Sequence, residues 1–321
     1  MSALADTKQH PDDMSTQQTD AAPSGSWGDW AEDRALRGII RTALALPYQR
    51  RVALLGWLMR KVIAPRVGYR KRALDHLAYI WPDMPEAERN RIADGVCDNF
   101  GRVFIENYSV SDLLKRAETT TLSGPGLEAI AEARAENRPV LFVTGHFGNF
   151  EAPRAALVRQ GYQIGGLYRP IANPYFNEHY AQNMHDLSGP VFEQGRRGTM
   201  GLVKHLKQGG MAVLLFDIYD SGGVPIDFMG KPAPTLTSAA EIARKTGALL
   251  VPFFGVRQPD GLTFSAEFDA PLTHDDPVEQ TRAMTVALEQ RIHRHPEQWF
   301  WVHRRWKPRR QRKRAAATTS P

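Results

Sequence analysis

Short apolar runs alternate with stretches of helical periodicity through the second half of the chain. We predict strands at four of these runs, namely Val140–Val143, Ile164–Tyr168, Met211–Phe216 and Leu249–Val256. Apolar residues also recur at helical spacing, which predicts helices at Met200–Gln208, Thr237–Thr246 and Val278–His293. Strands that alternate with helices favour an α/β fold with a mainly parallel central sheet flanked by helices.

The first half of the chain carries helical patterns. Asp83 is a suitable N-cap and Glu86 follows it at the spacing of a capping box. The helix predicted after them has an apolar face that carries Ile92, Val96, Phe100 and Val103. We therefore predict an N-terminal helical segment ahead of the sheet.

The segment 44–64 mixes apolar and basic residues. Its apolar stretches are interrupted by Gln49, Arg50, Arg51, Arg60 and Lys61. A transmembrane helix needs roughly eighteen apolar residues in a row, and no run in the sequence reaches that length. We predict an amphipathic helix that lies in the interface of an anionic membrane.

Composition suggests one folded domain with two polar ends. The chain has 321 residues and is 42% hydrophobic, which is enough for a sizeable core. Residues 1 to about 26 are rich in small and polar residues, so we predict a disordered extension over 1–33, a folded domain over 34–308 and a basic disordered tail over 309–321. The single cysteine, Cys97, excludes an internal disulfide and is predicted to be buried in a helix.

The positive charge of the chain is concentrated near its end. Eight basic side chains and no acidic one lie between Arg304 and Arg314. Their combined positive charge exceeds the net charge of +6 of the whole chain. Such a run is typical of a contact with an anionic membrane or with nucleic acid, or of a solvated end. The sequence leaves these three interpretations open.

A histidine and a carboxylate follow the first predicted strand. His146 and Glu151 are five residues apart across a turn that contains Gly148 and Asn149. A histidine at the end of a strand is suited to take a proton from an alcohol, and a nearby carboxylate can orient it. With no serine or cysteine nucleophile beside the pair, we predict direct attack of a hydroxyl on an activated acyl group, with His146 as the base and Glu151 as its orienting group.

The turn itself is a candidate for oxyanion binding. Glycine permits a close approach of the backbone to a ligand, so we predict that amides near Gly148 and Asn149 donate to the developing oxyanion. A metal hydrolase is an alternative, although one histidine and one glutamate are too few ligands for a zinc site. We predict no metal and no cofactor.

Further polar residues lie where predicted strands give way to loops. Arg169 and Arg196 are in such positions, and guanidinium groups recognise phosphate in a two-pronged geometry. Asp217 ends the run that precedes it, where it is suited to order an arginine or to cap a turn. We predict that these three residues belong to a substrate-binding site, with solvated loop charges as the alternative.

Aromatic residues are concentrated in the segment 299–306. Tryptophan suits a lipid interface, but alternating side chains also fit a half-buried strand. We favour the structural interpretation and do not assign His303 as a second base.

Several of these segments, in the same order, resemble the bacterial lipid A biosynthesis acyltransferases, which belong to the lysophospholipid-acyltransferase-like superfamily. The similarity covers residues from about 40 to 308. It rests on the His146–Glu151 box, Tyr168–Pro170 with Asn173–Pro174, Arg196 with Gly201–Gly209, Asp217, Phe228–Gly230 with Ala233–Thr235, and Pro296–Lys307. Glutamate at position 151 favours the lipid A branch, because glycerolipid members usually have aspartate there.

The resemblance implies a glycerolipid acyltransferase-like fold and an O-acyltransferase activity. The implied donor is acyl carrier protein and the implied acceptor is a hydroxyl of a lipid A precursor, at the cytoplasmic face of the inner membrane. It adds Asn173 to the candidate substrate-binding residues. The chain departs from the family in two ways. Asp217 and Asp220 do not form the family's usual D-x-D pair, and the N-terminal segment is less continuously apolar than the membrane anchor that family members often have. A glycerolipid or another membrane lipid alcohol remains an alternative acceptor, and a nucleic-acid-binding protein is the least favoured alternative.

Overall fold

The computed structural model describes residues 24–307 of the chain. Its helices are α1 Trp27–Leu44, α2 Tyr48–Leu58, α3 Ala64–Arg66, α4 Tyr69–Ile80, α5 Glu86–Asn107, α6 Val110–Ala117, α7 Gly126–Ala135, α8 Ala152–Arg159, α9 Pro174–Leu187, α10 Arg196–Lys207, α11 Ser238–Thr246 and α12 Pro277–Arg294. Its strands are β1 Thr121–Ser123, β2 Val140–Thr144, β3 Ile164–Tyr168, β4 Val191–Glu193, β5 Met211–Leu215, β6 Val224–Phe228, β7 Lys231–Thr235, β8 Leu249–Arg257 and β9 Phe264–Phe268. A π-helical turn, Met59–Ile63, connects α2 to α3, and a 3-10 turn, Pro296–Gln298, follows α12.

The central sheet is mainly parallel, as the alternating pattern predicts. Seven strands are arranged in the order β1-β9-β8-β2-β5-β3-β4. Only β8 and β9 pair antiparallel within it, while β6 and β7 form a separate antiparallel hairpin. The four predicted strands are observed with their ends shifted by at most one residue. The prediction of an α/β fold with a mainly parallel sheet is confirmed.

Helices cover both faces of β2, which is buried along its whole length. Val140 and Phe142 pack in the core that contains Ile130 of α7 and Leu157 of α8. The alternate residues of β2 lie in the second core, with side chains of α11 and α12. A continuous apolar run is therefore compatible with this strand because neither face meets water.

The N-terminal region is helical earlier than the sequence predicted. Helix α1 begins at Trp27, and Ser26 and Asp29 form a reciprocal capping box. The predicted disorder of residues 27–33 is therefore wrong, because a helix start was missed. Residues 24–26 are neither helix nor strand, and residues 1–23 lie outside the described residues, as does the predicted tail 309–321.

Helix α2 places the mixed apolar and basic segment against the domain. Val52 and Leu55 are buried in a cluster that includes Ile105 of α5, while Leu54 and Trp57 are exposed. The helix is thus amphipathic, and its buried apolar side chains pack against the domain. Between residues 24 and 307, no helix has both the length and the apolar character needed to cross a membrane.

Helix α5 begins at Glu86 rather than after an Asp83 cap. Pro85 occupies the N-cap position without a side-chain hydrogen bond, so the predicted capping box is wrong. Proline there sets the backbone entry into the helix. Ile92, Val96 and Val103 are buried, as the predicted apolar face requires.

The aromatic segment near the C-terminus packs in the core but is not a strand. Its backbone forms a turn with a single bridge between Phe147 and Trp299. Trp299, Trp301 and Trp306 are buried and contact one another. The structural interpretation is confirmed, the strand is wrong, and these tryptophans are not available to a lipid interface.

Candidate active site

Adjacent parallel strands bring His146 and Asp217 together. β2 pairs with β5 so that Val140 lies opposite Met211 and Thr144 opposite Leu215. His146 and Asp217 each come two residues after that last pair. Parallel strands end at the same edge of a sheet, so both side chains emerge at the same edge.

Asp217 binds both the backbone and the ring of His146. Its Oδ1 lies 2.7 Å from His146 Nδ1, and its Oδ2 accepts hydrogen bonds from the His146 amide and from Trp299 Nε1, each at 2.8 Å. The side chain of Asp217 is only 1% exposed. Burial alone would raise the pKa of this carboxyl, but the charge and hydrogen bonds of His146 outweigh it and hold the pKa well below its ordinary value.

The ionised partner determines the tautomer of His146. A carboxylate can only accept, so His146 Nδ1 donates to it, and the neutral form of the ring has its lone pair on Nε2. The histidine side chain is 27% exposed, in contrast to its buried partner. The geometry thus holds one ring nitrogen of a partly exposed imidazole, which is an arrangement suited to a general base.

Glu151 does not orient His146. It is the N-cap residue of α8, and its Oε2 accepts a hydrogen bond from Arg154 Nη1 at 3.1 Å. Arg154 is fully buried and also donates to the carbonyl oxygens of Ile164 and Ser188. The predicted role of Glu151 is corrected by this arrangement: the carboxylate that holds the imidazole is Asp217, and Glu151 belongs to an adjacent buried ion pair.

The predicted oxyanion amides are already used within the protein. The Gly148 amide donates to Gln298 O at 2.9 Å, and the Asn149 amide donates to Gly255 O at 3.1 Å. Gly148 has a positive φ of 55°, and a Cβ there would lie 1.8 Å from Gly255 O. The glycine is therefore required by a close approach of two backbone segments, and the Gly148 and Asn149 amides donate to the protein rather than toward a ligand site.

The side chain of Asn149 joins a buried ionic network. Its Nδ2 donates to Glu106 Oε2 at 2.9 Å, and Arg257 donates to both oxygens of Glu106 at 2.6 and 2.7 Å. Arg257 Nε also donates to Asn99, whose amide donates to Gly148 O. This network fixes the turn after His146 to α5 and β8.

The remaining predicted site residues are divided between surface and scaffold. Arg169, directly after β3, and Arg196, the first residue of α10, are exposed. Asn173 is buried and caps α9: its Oδ1 accepts from the Phe176 amide, while its Nδ2 donates to Asp29 O and Glu32 Oε2. The side-chain oxygen thus caps α9, and both hydrogens of the side-chain nitrogen are used in joining α9 to α1.

His303 contacts the base, which sequence reasoning did not predict. Its ring lies edge-on to that of His146 with 4.4 Å between centroids, and its Nε2 is buried without a hydrogen-bond partner. Burial, followed by the charge of His146, lowers the pKa of His303 to about 3. The segment 299–303 thus supplies two residues to the site, Trp299 to Asp217 and His303 to His146, and its dense aromatic composition was the available signal.

A metal site is not among the features of this region. Within residues 24–307, no three His, Cys, Asp or Glu side chains are grouped closely enough to hold a metal ion.

Comparison with known proteins gives consistent similarities over most of the chain. The family model described as bacterial lipid A biosynthesis acyltransferase matches residues 18–308. A lipid A biosynthesis lauroyltransferase of Escherichia coli K12 is 30% identical over 285 residues, covering 85% of this chain and 90% of that protein. A lipid A biosynthesis acyltransferase of Haemophilus influenzae is 26% identical, covering 86% of each chain, and a myristoyltransferase of E. coli K12 is 25% identical, covering 88% of each.

Proposed function

Because the chain belongs to the bacterial lipid A biosynthesis acyltransferases, we propose that it transfers a fatty acyl group from an acyl carrier protein thioester to a hydroxyl of a lipid A precursor. It is an O-acyltransferase, and its family supports a role in lipid A synthesis. The observation that carries the mechanism is the His146–Asp217 pair at the ends of β2 and β5. The acyl donor, the direction of attack and the site of action are part of the proposal.

His146 Nε2 removes the proton from the acceptor hydroxyl as its oxygen attacks the thioester carbonyl. The carbon–oxygen bond forms, the tetrahedral intermediate collapses, and the carbon–sulfur bond breaks. The imidazolium then returns its proton to the leaving thiolate, so that the products are an ester and a free thiol. Asp217 stabilises the imidazolium through Nδ1 and keeps Nε2 unprotonated at the start.

Glu151 and the two exposed arginines have supporting roles in this proposal. Glu151 positions the start of α8 through Arg154 and lies near Tyr180, where burial and then the Glu151 charge raise the pKa of the phenol to about 12. Arg169 and Arg196 remain proposed contacts for anionic groups of the acceptor or of the carrier, since their guanidinium groups are exposed.

An anionic membrane surface is the proposed location of the reaction. Helices α1 and α2 expose aromatic and aliphatic side chains, namely Trp27, Trp30, Ile39, Leu54 and Trp57. Basic side chains lie among them, including the exposed Arg34, Arg41 and Arg50. This combination suits peripheral binding at the headgroup level, because tryptophan prefers that depth and arginine is attracted to anionic lipid. We propose the cytoplasmic face of the inner membrane, where acyl carrier protein is present.

Mass spectrometry of the products tests the activity. Purified protein is incubated with acyl carrier protein carrying laurate and a lipid A precursor in mixed micelles, and a mass increase of one acyl chain is expected. His146→Ala should reduce the rate by about 10²- to 10⁴-fold, the range of a lost general base. His274→Ala, at an exposed loop histidine, is the matched control and should retain the rate.

Each part of the proposal has its own contrary result. Equal rates in wild type and His146→Ala would remove His146 as the base. Acylation of a lysophospholipid but not of the lipid A precursor would favour the glycerolipid alternative. Transfer from the coenzyme A thioester but not from acyl carrier protein would replace the donor.

A further inference from the structure

A cavity lined by basic side chains lies between the start of α4 and the segment that follows His303. Its volume is about 590 Å³. Four cationic residues line it, Lys71, Arg72, Arg304 and Lys307, and Asp75 is the only acidic one among its lining residues. We call this cavity, which Gly68, His76 and Trp306 complete, the basic pocket.

The walls of the basic pocket are held together by contacts between its two segments. His76 Nδ1 donates to Trp301 O at 2.7 Å, and Arg72 Nη1 donates to Val302 O at 3.3 Å. The rings of His76 and Trp306 are in edge contact at 5.7 Å. Trp306 is itself buried in the aromatic core. The pocket is thus part of the folded domain, and its two basic segments are joined by direct contacts.

The charges of the pocket are unbalanced. Lys71 Nζ pairs with Asp75 at 2.9 Å, but both side chains are mostly exposed, at 78% and 61%, so this pair is weak. Burial lowers the pKa of His76, which is therefore neutral at pH 7. Arg72 and Arg304 have no carboxylate partner within residues 24–307. A bound anion would offset the repulsion among these cations.

The helix geometry increases the positive potential. Lys71 and Arg72 lie in the first turn of α4, a position where cations oppose the helix dipole and where acidic residues are usual. No acidic residue is present in that turn, and the N-cap Gly68 supplies no side-chain acceptor. In α11, by contrast, Arg244 and Lys245 are in the last turn, where the dipole favours them.

The pocket is close in the structure to the proposed base. Arg304 directly follows His303, whose ring contacts His146. On the α4 side, Tyr69, which directly follows the lining residue Gly68, contacts Phe300, and Phe300 in turn contacts the ring of His146. Two short paths of contacting residues, one through His303 and one through Tyr69 and Phe300, therefore connect the basic pocket with the proposed base.

We infer that the basic pocket binds a phosphate monoester on the headgroup of the lipid acceptor, and so sets which hydroxyl reaches His146. The chemistry fits: arginine and lysine together recognise a dianionic phosphate, and a cavity of this volume admits a sugar phosphate headgroup. This inference rests on the proposed acyl transfer to a lipid. It assigns the phosphate to residues other than Arg169 and Arg196, which do not line this pocket.

Acceptor kinetics test the inference with a charge-matched control. The double variant Lys71→Ser/Arg304→Ser removes two cations of the pocket that make no buried contacts, whereas Arg244→Ser/Lys245→Ser removes two exposed cations of α11. With a phosphorylated lipid A precursor, the pocket variant should raise KM at least about tenfold with little change in kcat. With the enzymatically dephosphorylated acceptor, the pocket variant and wild type should have equal KM values. A KM rise of the same size on both acceptors, or in the α11 variant, would overturn the inference.

A binding measurement separates this inference from the proposed function. Vesicles of phosphatidylcholine containing phosphatidic acid present a phosphate monoester, and vesicles with phosphatidylglycerol present a diester of similar charge. Flotation should show that the pocket variant loses binding to the first but not to the second. If the pocket variant loses binding only to phosphatidic acid vesicles but wild type transfers no acyl group, only the proposed function is refuted. If the pocket variant loses binding equally to both kinds of vesicle, the pocket is a general membrane contact and the inference is overturned.

Discussion

Two buried carboxylates flank the turn after β2, and they have different surroundings. Asp217 holds Nδ1 of His146, whose side chain is 27% exposed. Glu106 holds Arg257 and Asn149, and both of its oxygens accept from groups inside the protein. Both carboxylates are buried, and both are paired with a basic side chain. The difference is that one network ends in a partly exposed histidine, while the other is closed within the protein, so we assign chemistry to the first and support of the turn to the second.

The largest expected effect is on the closed network. Arg257→Met leaves the fully buried Glu106 carboxylate without its cation, and we expect the free energy of unfolding to fall by about 3–5 kcal/mol. Urea denaturation at pH 7 measures this change. Arg159→Met, which breaks an ion pair with Glu118 that is about half exposed, is the control and should cost under about 1 kcal/mol. Equal effects of the two variants would mean that Glu106 is not held by Arg257.

The open network should respond in catalysis. Asp217→Asn replaces an acceptor with a group that can donate to His146 Nδ1, which moves the imidazole proton to Nε2 and blocks the base. We expect kcat to fall by about 10²- to 10³-fold, measured as acyl transfer to the lipid A precursor. Asp275→Asn, at an exposed position, should leave kcat unchanged.

Glu151→Gln distinguishes Glu151, the orienting group predicted from the sequence, from Asp217, which contacts the imidazole in the structure. Glutamine keeps a hydrogen bond to Arg154 but loses the charge, so we expect a loss of activity of no more than about tenfold together with a lower stability. If Glu151→Gln instead abolishes transfer while Asp217→Asn is active, the assignment of the orienting carboxylate would have to be reversed.

A smaller effect concerns the histidine that packs against the base. Burial and the charges of His146, Arg305 and Arg72 lower the pKa of His303 to about 3, and Asp217 only partly opposes them. Because this folded-state pKa lies below the ordinary value near 6.5, the neutral ring contributes stability above pH 6.5 that is lost as pH falls towards 3. We expect this contribution to fall by roughly 2 kcal/mol between pH 6.5 and 4.5.

Paired unfolding curves measure that loss. The decrease in unfolding free energy between pH 6.5 and 4.5 should be smaller in His303→Gln than in wild type, while His274→Gln, at an exposed histidine, should match wild type. Identical decreases in all three proteins would show that His303 titrates as an ordinary histidine. The comparison uses differences between two pH values, so any loss of packing in the variant cancels.

The sequence by itself determined four adjacent strands of the sheet, β2, β3, β5 and β8, several helices, and the residue types available for catalysis. Period and composition are local properties: the run at β2 is apolar because both faces of the strand are buried, and His146 and Asp217 each follow an apolar run by a short distance. The resemblance to a family added the kind of reaction. The errors at the ends of α1 and α5 also have local causes, a missed capping box and a proline at the N-cap.

Only the tertiary structure decided which polar groups meet. Glu151 is five residues from His146 in sequence, yet α8 directs its carboxylate to Arg154, whereas Asp217 is far along the chain and reaches the imidazole because β5 lies beside β2. In the same way, Gly148 and Asn149 have the residue types of a ligand-binding turn, but their amides donate to Gln298 and to β8. Strand order and hydrogen-bond partners are relations between distant segments, and no local pattern of residues encodes them.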